Sequence, residues 1–324
     1  MASNPHQAAL AYEALTRSRR VLVIVHAKPD GDTLGCGTAA FNFLVRRGVE
    51  VRGFCRDVIL DRYSYLPGLS VFTPDPAVFG ENFDVVAVFD SGDLQYAGVA
   101  DLMPRLPGRP KVINLDHHAT NRLYGDINVV DTSASSAGEV FYNLLRSAGA
   151  EIDADTATCL LTGVTTDTGC YSNGATTSGA LKAAADLLLL GGKMAPPINR
   201  VLRAQTIGSL RVWGQALARL KSHPETGLAS TALFRADCGD VGNFDEHAEG
   251  IANFLNGYLN HRAVMVLREL PDGTVKGSLR SVDDETDVSA VSAALGGGGH
   301  KKASGFRLPG QIVERAFGWV VEKK

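Results

Sequence analysis

The stretch that follows the first apolar run of the chain carries three side chains that can bind cations or move protons. Val21–Val25 is a run of branched apolar residues, which is typical of a strand buried on both faces of a parallel sheet. His26, Asp30 and Asp32 follow it directly, before a helical pattern begins. Taken alone, the stretch fits two interpretations equally well: a ligand site at the end of a strand, or a helix capped by Asp32 beside a surface His26.

The same pattern, in which acidic or imidazole side chains follow an apolar run, returns at three later points. These are Asp90 after Phe83–Phe89, the triplet Asp116, His117 and His118 after Lys111–Leu115, and Asp167 after the helical run Thr156–Thr166. Because ligands of open α/β sheets bind at the carboxyl ends of the strands, we expect these side chains to meet at one edge. The repetition favours the interpretation as a ligand site.

A cluster of carboxylates in a dry pocket would repel itself unless cations were bound. Carboxylate and imidazole ligands without cysteine suit Mn²⁺ or a comparable cation better than a structural zinc site. The number of ligands predicts two divalent ions. An aspartate that bridges ions about 3.5 to 4 Å apart would let a shared hydroxide attack phosphorus, so the cluster predicts phosphoester hydrolysis.

The elements that must position these side chains alternate between strands and helices. A helical pattern follows the first strand, a further strand is predicted at Val49–Phe54, and further helices are predicted at 135–148 and 177–190. This alternation predicts an α/β N-terminal domain, residues 1–190, with a parallel sheet and helices on both faces. Turn residues followed by a helical run at 207–220 predict a linker at 191–222.

The remaining residues, 223–324, predict a smaller α/β domain with a mixed sheet. Its strands are predicted at Leu228–Arg235, Ala263–Leu270, Thr274–Arg280 and Ser304–Leu308, and its helices at Phe244–Tyr258 and Val288–Leu295. The turn Pro271-Asp272-Gly273 joins two of these strands as a hairpin. Gly296–Gly299 predicts a glycine-rich loop before the last strand.

Composition limits the classes of function that remain. Hydrophobic residues make up 45% of the 324 residues and charged residues 21%, which is ordinary for a globular protein. The net charge of −3 argues against a broad basic surface for long nucleic acid, including long duplexes, and the aromatic content of 7% argues against repeated stacking platforms for long single strands. Five scattered cysteines predict reduced thiols, and no apolar run has the length of a signal or membrane segment, so we expect a cytoplasmic protein.

The ligand motifs resemble those of a known enzyme family. HAKPDGD, the strand that ends at Asp90, the Asp116-His117-His118 triplet and GVTTDTG around Asp167 resemble, in their order, the four metal motifs of the DHH phosphoesterase superfamily. GGGGH at 296–300 is similar to the hallmark of the DHH-associated C-terminal domain. The layout resembles the compact branch of the superfamily that acts on short oligoribonucleotides, on phosphoadenosine phosphate or on cyclic and linear dinucleotides.

The resemblance implies a role for each motif residue. His26 and Asp30 would hold one ion, Asp32, His117 and Asp167 the other, and Asp90 would bridge the two. Asp116 would orient the site and His118 would face the substrate as a catalytic residue. In the C-terminal domain, Arg280, Gly297, Gly298, Gly299 and His300 would bind the far phosphate or nucleotide.

The resemblance also leaves alternatives open. Relatives often carry an arginine shortly after the bridging aspartate and another after the fourth motif, where this chain has Asp93-Leu94-Gln95-Tyr96 and Tyr171-Ser172-Asn173. Substrates from short RNA, pApA and cyclic-di-AMP to 3′-phosphoadenosine 5′-phosphate therefore remain open, as does a homodimer. Cleavage of inorganic pyrophosphate or polyphosphate, and non-catalytic nucleotide binding, are the alternative functions.

Overall fold

The computed structural model describes residues 4–202, 205–239, 244–316 and 318–323, without the side chains of Cys238, Asp245, Glu246 and His300. The chain divides into two compact units, Met1–Ala204 and Gln205–Lys324. The predicted boundary of the linker at 191–222 stays a prediction. Within the described residues, no helix is both long and apolar enough to span a bilayer.

The first unit alternates strands and helices along the chain. Its elements are α1 (Pro5–Arg17), β1 (Arg20–Val25), α2 (Gly31–Val45), β2 (Glu50–Phe54), β3 (Phe72–Thr73), β4 (Val85–Phe89), β5 (Lys111–Asp116), β6 (Ile127–Val130), α3 (Ala137–Ser147), α4 (Ala154–Asp167), α5 (Ser178–Leu189) and α6 (Ala195–Pro197). The predicted strands and helices are therefore present, and α1, β3, β6 and α6 are additions that the sequence patterns did not predict.

The strands of the first unit form one parallel sheet in the order β3-β2-β1-β4-β5-β6. The side chains of β1 alternate between its faces: Val21, Val23 and Val25 join the core beneath α1 to α5. Leu22 and Ile24 face the other core, which loops and short 3₁₀ helices cover. Because the strand order reverses between β1 and β4, a crevice is expected at the carboxyl ends of these two strands.

Helices α2 and α4 pack closely because small residues face each other. A Cβ atom at Gly35 would lie 2.5 Å from the carbonyl oxygen of Cys159, and one at Gly31 would meet the side chain of Thr166 at 2.5 Å. Only glycine permits this approach of the two helix backbones. The packing fixes the start of α2, which carries Asp32, against the end of α4, which carries Asp167.

The second unit contains a mixed sheet in the order β11-β12-β10-β9-β8-β7 and a separate hairpin, β13-β14. Its elements are α7 (Ile207–Ala218), β7 (Lys221–His223), β8 (Leu228–Leu233), α8 (Phe244–His247), α9 (Ile251–Tyr258), β9 (Ala263–Glu269), β10 (Thr274–Arg280), α10 (Val288–Ala294), β11 (Gly298–His300), β12 (Ala303–Pro309), β13 (Gln311–Arg315) and β14 (Gly318–Glu322). The predicted hairpin is present, since β9 and β10 pair antiparallel.

Three local expectations for this unit differ from the structure. The helix predicted at Phe244–Tyr258 is interrupted by a turn at 248–250, where Gly250 has φ +85°. The strand predicted as the last is followed by β13 and β14. Part of the glycine-rich loop is the edge strand β11, because its backbone pairs with β12.

Candidate metal centre

Parallel pairing brings the carboxyl ends of three strands to one level. Val25 of β1 lies beside Phe89 of β4, and Phe89 lies beside Leu115 of β5. The residues that follow, His26, Asp90 and the Asp116-His117-His118 triplet, are therefore neighbours although the sequence separates them. Asp30 and Asp32 reach the same place from the start of α2, and Asp167 reaches it from the end of α4.

Asp90 lies at the centre of the cluster. Its side chain is buried, and its backbone has a φ of +56°, a left-handed conformation that is costly for a residue with a Cβ atom. Its buried Oδ1 atom has no hydrogen-bond partner among the described residues. A buried carboxylate oxygen without a hydrogen bond destabilises the folded state unless a cation neutralises it, so this orphaned oxygen fits Asp90 to the role of a metal ligand.

The imidazoles of His26 and His117 approach different carboxylate oxygens of Asp90. The Nε2 atom of His26 is 3.4 Å from Oδ2 of Asp90 and 3.7 Å from Oδ1 of Asp30. The Nε2 atom of His117 is 3.5 Å from Oδ1 of Asp90, 3.4 Å from Oδ2 of Asp167 and 3.9 Å from Oδ2 of Asp32. These distances are too long for direct hydrogen bonds of good geometry, and they suit side chains grouped around a shared cation.

His26 and Asp32 differ from the interpretation as surface residue and helix cap. His26 is only 3% exposed, and its Nδ1 atom lies 2.7 Å from the carbonyl oxygen of Ala27. A proton on Nδ1 would bond this carbonyl and leave the Nε2 lone pair directed at the carboxylates. The cap of α2 is Asp30, which accepts the backbone N–H groups of Asp32 and Thr33. Asp32 is therefore not the cap and lies fully buried inside the first turn.

The start of α3 holds the carboxylate of Asp32. Its Oδ2 accepts the backbone N–H of Ala137 at 2.6 Å, and its Oδ1 accepts that of Gly138 at 2.9 Å. Both donors belong to the first turn of α3, where the N–H groups have no partner within the helix and the helix dipole favours negative charge. Asp32 can therefore be fully buried and still direct an oxygen toward His117.

Asp116 orients the two histidines that follow it. Its Oδ1 accepts the backbone N–H of His117 at 2.8 Å and lies 2.7 Å from Nδ1 of His118. Its Oδ2 accepts the side-chain amide of Asn121 at 2.6 Å. The carboxylate is thus satisfied by hydrogen bonds, and the Nδ1 contact leaves Nε2 of His118 as the ring nitrogen for other contacts.

The pKa values express the excess of negative charge in the cluster. Burial acts to lower the pKa of His26, but the nearby carboxylates of Asp30 and Asp90 outweigh it and raise the pKa to about 12. Burial likewise acts to lower the pKa of His117, but the carboxylates of Asp90, Asp32 and Asp167 outweigh it and raise the pKa to about 10. Burial opposes ionisation of Asp90, yet His117 and His26 hold its pKa below the usual range.

The pKa values of the two carboxylates at the contact between α2 and α4 are raised, in contrast to that of Asp90. Burial, followed by the charge of Asp90, raises the pKa of Asp32 to about 7. Burial and the charge of Asp32 raise the pKa of Asp167 well above its usual range. Asp167 also ends α4, where the helix dipole disfavours an anion. Protons and cations would therefore compete for these carboxylates, as they do in metal sites built from hard ligands.

Among the residues that the structure describes, three groups could each hold a cation, because the potential ligand atoms within a group lie within 4.8 Å of one another. They are His26, Asp30 and Asp90; Asp32, His117 and Asp167; and Asp90, Asp116, His117 and His118. The first two groups correspond to the two predicted ligand sets. Their oxygen and imidazole donors, together with the orphaned oxygen of Asp90, fit hard to borderline divalent cations. The assignment of individual ligands stays a prediction.

The predicted substrate-binding residues lie in the second unit. Arg280 ends β10, and its guanidinium donates from Nε to Oδ1 of Asn253 and from Nη1 to the carbonyl of Leu279. Burial lowers the pKa of Arg280. The side chain of His300 lies outside the described residues, so its predicted role is not tested.

The glycines predicted to bind substrate have different surroundings. A Cβ atom at Gly297 would lie 2.1 Å from the carbonyl of Gly305, and Gly299 has φ +140°. Close approach of β12 therefore requires glycine at these two positions. A Cβ atom at Gly298 would meet none of the described atoms within 4 Å, so their packing does not explain the absence of a side chain there. A role for all three in substrate binding stays a prediction.

Sequence reasoning did not select several residues that complete the site. Asn121, which bonds Asp116, follows His118 by three residues, and only its closeness to the triplet could have suggested it. Tyr96 lies against His26, with ring centroids 5.1 Å apart. The amide donors of Ala137 and Gly138 carry no side-chain signal, although the cap at Ser136 marks the helix start that presents them.

Comparison with known sequences identifies two matching families. A sequence model described as the DHH family, N-terminal domain, matches residues 20–164, and a DHHA1 domain model matches residues 237–322. The first match contains all of the proposed metal ligands except Asp167. The second contains Arg280 and the glycine-rich segment.

Full-length relatives and a solved structure agree with this result. The chain is 31% identical over 304 residues to a protein of Thermus thermophilus named bifunctional oligoribonuclease and PAP phosphatase NrnA, covering 93% of this chain and 88% of the relative. A Bacillus subtilis protein of the same name is 24% identical, covering 87% of each chain. An exopolyphosphatase-related protein of Bacteroides fragilis has a TM-score of 0.87 at 23% identity, covering 95% of this chain and 93% of that one, which shows a shared fold.

Proposed function

Because the chain belongs to the DHH family, we propose that it is a metal-dependent phosphoesterase that hydrolyses dinucleotides and other short oligonucleotides. The observation that carries this proposal is the cluster of carboxylates and imidazoles around the orphaned Oδ1 of Asp90. The names of the Thermus and Bacillus relatives support oligoribonucleotides and 3′-phosphoadenosine 5′-phosphate as the substrate class. Cyclic-di-AMP and pApA are further candidates of the same chemistry.

We propose that two divalent ions, Mn²⁺ in preference, occupy the site. His26 and Asp30 would hold one ion, Asp32, His117 and Asp167 the other, and Asp90 would contact both. Bound ions would supply Lewis acidity toward a phosphoryl oxygen and a nucleophile at neutral pH. The hydrogen bonds from Ala137 and Gly138 to Asp32 would keep that carboxylate in place before and after the ions bind.

His118 is the residue that we assign to substrate chemistry. Asp116 orients its ring through Nδ1, which keeps Nε2 as the position that can donate a proton to a leaving oxygen or bond a phosphate. Asn121 would keep Asp116 from rotating, because it occupies the other carboxylate oxygen. Asp116 therefore acts through His118 and His117 as a positioning residue.

Short substrates are favoured by the charge of the chain. Long single strands require a basic groove and repeated stacking platforms, whereas this chain has a net charge of −3 and 7% aromatic residues. We propose that Arg280, Gly297, Gly298, Gly299 and His300 contact the far end of a short ligand. Turnover should then be highest for two to about five nucleotides, with a shallow dependence on salt.

One panel of substrates tests the proposed function. The purified chain with Mn²⁺ is incubated with diadenylate, cyclic-di-AMP, 3′-phosphoadenosine 5′-phosphate, pyrophosphate and RNA of graded length, and products are separated by chromatography. We expect dinucleotides to be hydrolysed fastest. Exclusive cleavage of pyrophosphate, or processive digestion of long RNA, would refute the proposal.

The second unit is tested with one substitution. Arg280→Ala should raise KM for diadenylate at least tenfold while the rate on a minimal phosphate ester stays within about twofold, because the far contact adds binding energy only for the longer ligand. Unchanged diadenylate kinetics would remove Arg280 from the substrate site. A cytoplasmic location and a homodimer are our further expectations, to be tested by cell fractionation and by light scattering.

A further inference from the structure

A half-exposed tyrosine lies beside the proposed metal ligands without a described role there. Tyr96 is 55% exposed, and its ring centroid is 5.1 Å from that of His26 at an interplanar angle of 47°. His26 itself is buried to 97% by its surroundings, of which this ring is a part. Tyr96 is thus a large aromatic surface that borders the cluster and remains accessible to solvent.

The loop that carries Tyr96 is held in place on both sides of it. The carboxylate of Asp93 accepts the backbone N–H of Tyr96 at 2.7 Å, and the carbonyl of Asp93 accepts the hydroxyl of Ser91. Ala97 and Val99 are fully buried in the core on that face of the sheet. The ring is therefore presented by an anchored turn, and its exposure does not result from a loose segment.

An aromatic ring selects the chemical group that binds against it. The face of the ring carries a negative quadrupole, so it repels phosphate and attracts a flat, weakly polar ring. Stacking between aromatic side chains and nucleobases contributes affinity with little dependence on base identity. A nucleobase attached to the phosphate under attack would lie within reach of such a surface.

We propose that Tyr96 is the stacking platform for the nucleobase next to the scissile phosphate. This inference rests on the proposed function, because it needs a substrate with a base beside the reacting phosphorus. Tyr96 binds the base through its ring face and makes the enzyme prefer nucleotides over phosphoesters that lack a ring. Its contribution is to binding, so it changes KM more than kcat.

The kinetic test compares Tyr96→Leu with Tyr96→Phe, and Tyr12→Leu, a half-buried tyrosine of α1, is the control variant. The substrates are diadenylate and two analogues that each lack one base. Tyr96→Leu should raise KM for diadenylate about tenfold to a hundredfold, whereas Tyr96→Phe and Tyr12→Leu stay within about twofold. For the analogue without the stacked base, wild type and Tyr96→Leu should be equal.

A binding test separates this inference from the proposed hydrolysis. Two diadenylate analogues with a methylene phosphonate linkage, each with 2-aminopurine in place of a different adenine, are titrated with the protein and Mn²⁺. Wild type and Tyr96→Phe should quench the fluorescence of one of the two labelled positions, and Tyr96→Leu should not. Quenching without hydrolysis of diadenylate would refute the proposed function alone. Equal quenching by Tyr96→Leu, or equal loss in Tyr96→Phe and Tyr96→Leu, would overturn the role of the ring.

Discussion

The contact between Gly163 and Asp32 gives the sharpest test of how packing positions the metal centre. A Cβ atom at Gly163 of α4 would lie 2.3 Å from Oδ1 of Asp32, whereas ordinary contact begins at 3.4 Å. Gly163→Ala must therefore move the carboxylate or the two helices by about 1 Å. Asp32 would lose its fit to the amides of Ala137 and Gly138.

The expected magnitude follows from opposing effects. Alanine in place of glycine inside a helix stabilises the folded state by about 1 kcal/mol. Overpacking costs about 1–3 kcal/mol, and each weakened hydrogen bond to the carboxylate costs about 1.5–3 kcal/mol if it is lost. We expect a net loss of about 2–4 kcal/mol in the stability of the first unit. A shift of about 1 Å in a ligand should also reduce kcat about 10²-fold.

The matched control is Gly214→Ala in α7. Gly214 is likewise inside a helix, but a Cβ atom there would meet no atom of the described residues within 4 Å. This variant should gain about 0.5–1 kcal/mol and keep full activity. Hydrogen exchange during urea unfolding reports each unit separately, and Mn²⁺ titration with diadenylate kinetics reports the site. Wild-type stability and activity in Gly163→Ala would refute the argument that this helix contact positions Asp32.

Three further predictions follow from the electrostatics of the cluster. Asp90→Asn and Asp167→Asn should both abolish hydrolysis of diadenylate. Without metal, Asp90→Asn should lower Tm and Asp167→Asn should hold or raise it, because folding favours the ionised form of Asp90 and disfavours that of Asp167. A change of the same sign in both thermal melts would contradict this prediction. His118→Ala should reduce kcat by about 10² or more with metal stoichiometry unchanged, and loss of one equivalent on titration would make His118 a ligand instead. The metal-free protein should lose stability as pH rises from about 6.5 toward 10. The reason is that the raised pKa values of His26 and His117 contribute stability that is complete below about pH 6.5 and is lost as these side chains deprotonate. Saturating Mn²⁺ should abolish this dependence on pH in thermal melts.

The elements that hold the ligands could be predicted because their signals are local. The branched apolar run before His26 is β1, and the helical run before Asp167 is α4, which includes Asp167 as its last residue. The types of the proposed ligands could also be predicted. Carboxylates and imidazoles that recur at the ends of such elements have few purely structural roles that would explain them. The roles of Arg280 and of the glycine-rich segment stay predictions.

The glycine-rich segment shows where a local interpretation fails. Four glycines in sequence predict a loop, yet Gly298–His300 forms an edge strand. The reason is the partner strand: the backbone of β12 approaches Gly297 and Gly299 so closely that no side chain fits. A glycine can permit a turn, the approach of a ligand or the approach of a neighbouring backbone. Which of these applies depends on what packs against it, and the sequence of the segment alone does not predict that.

The sequence by itself showed which residue types follow which strands, and thereby predicted the kind of cation and the class of reaction. The tertiary structure decided how these residues meet. Parallel register aligns Val25 with Phe89, and the start of α3, 105 residues after Asp32 in the chain, supplies the amides that hold its carboxylate. Tyr96 and His26 are also far apart in the chain, and only the folded structure brings their rings together. These contacts are non-local, so no periodicity or propensity within either segment encodes them.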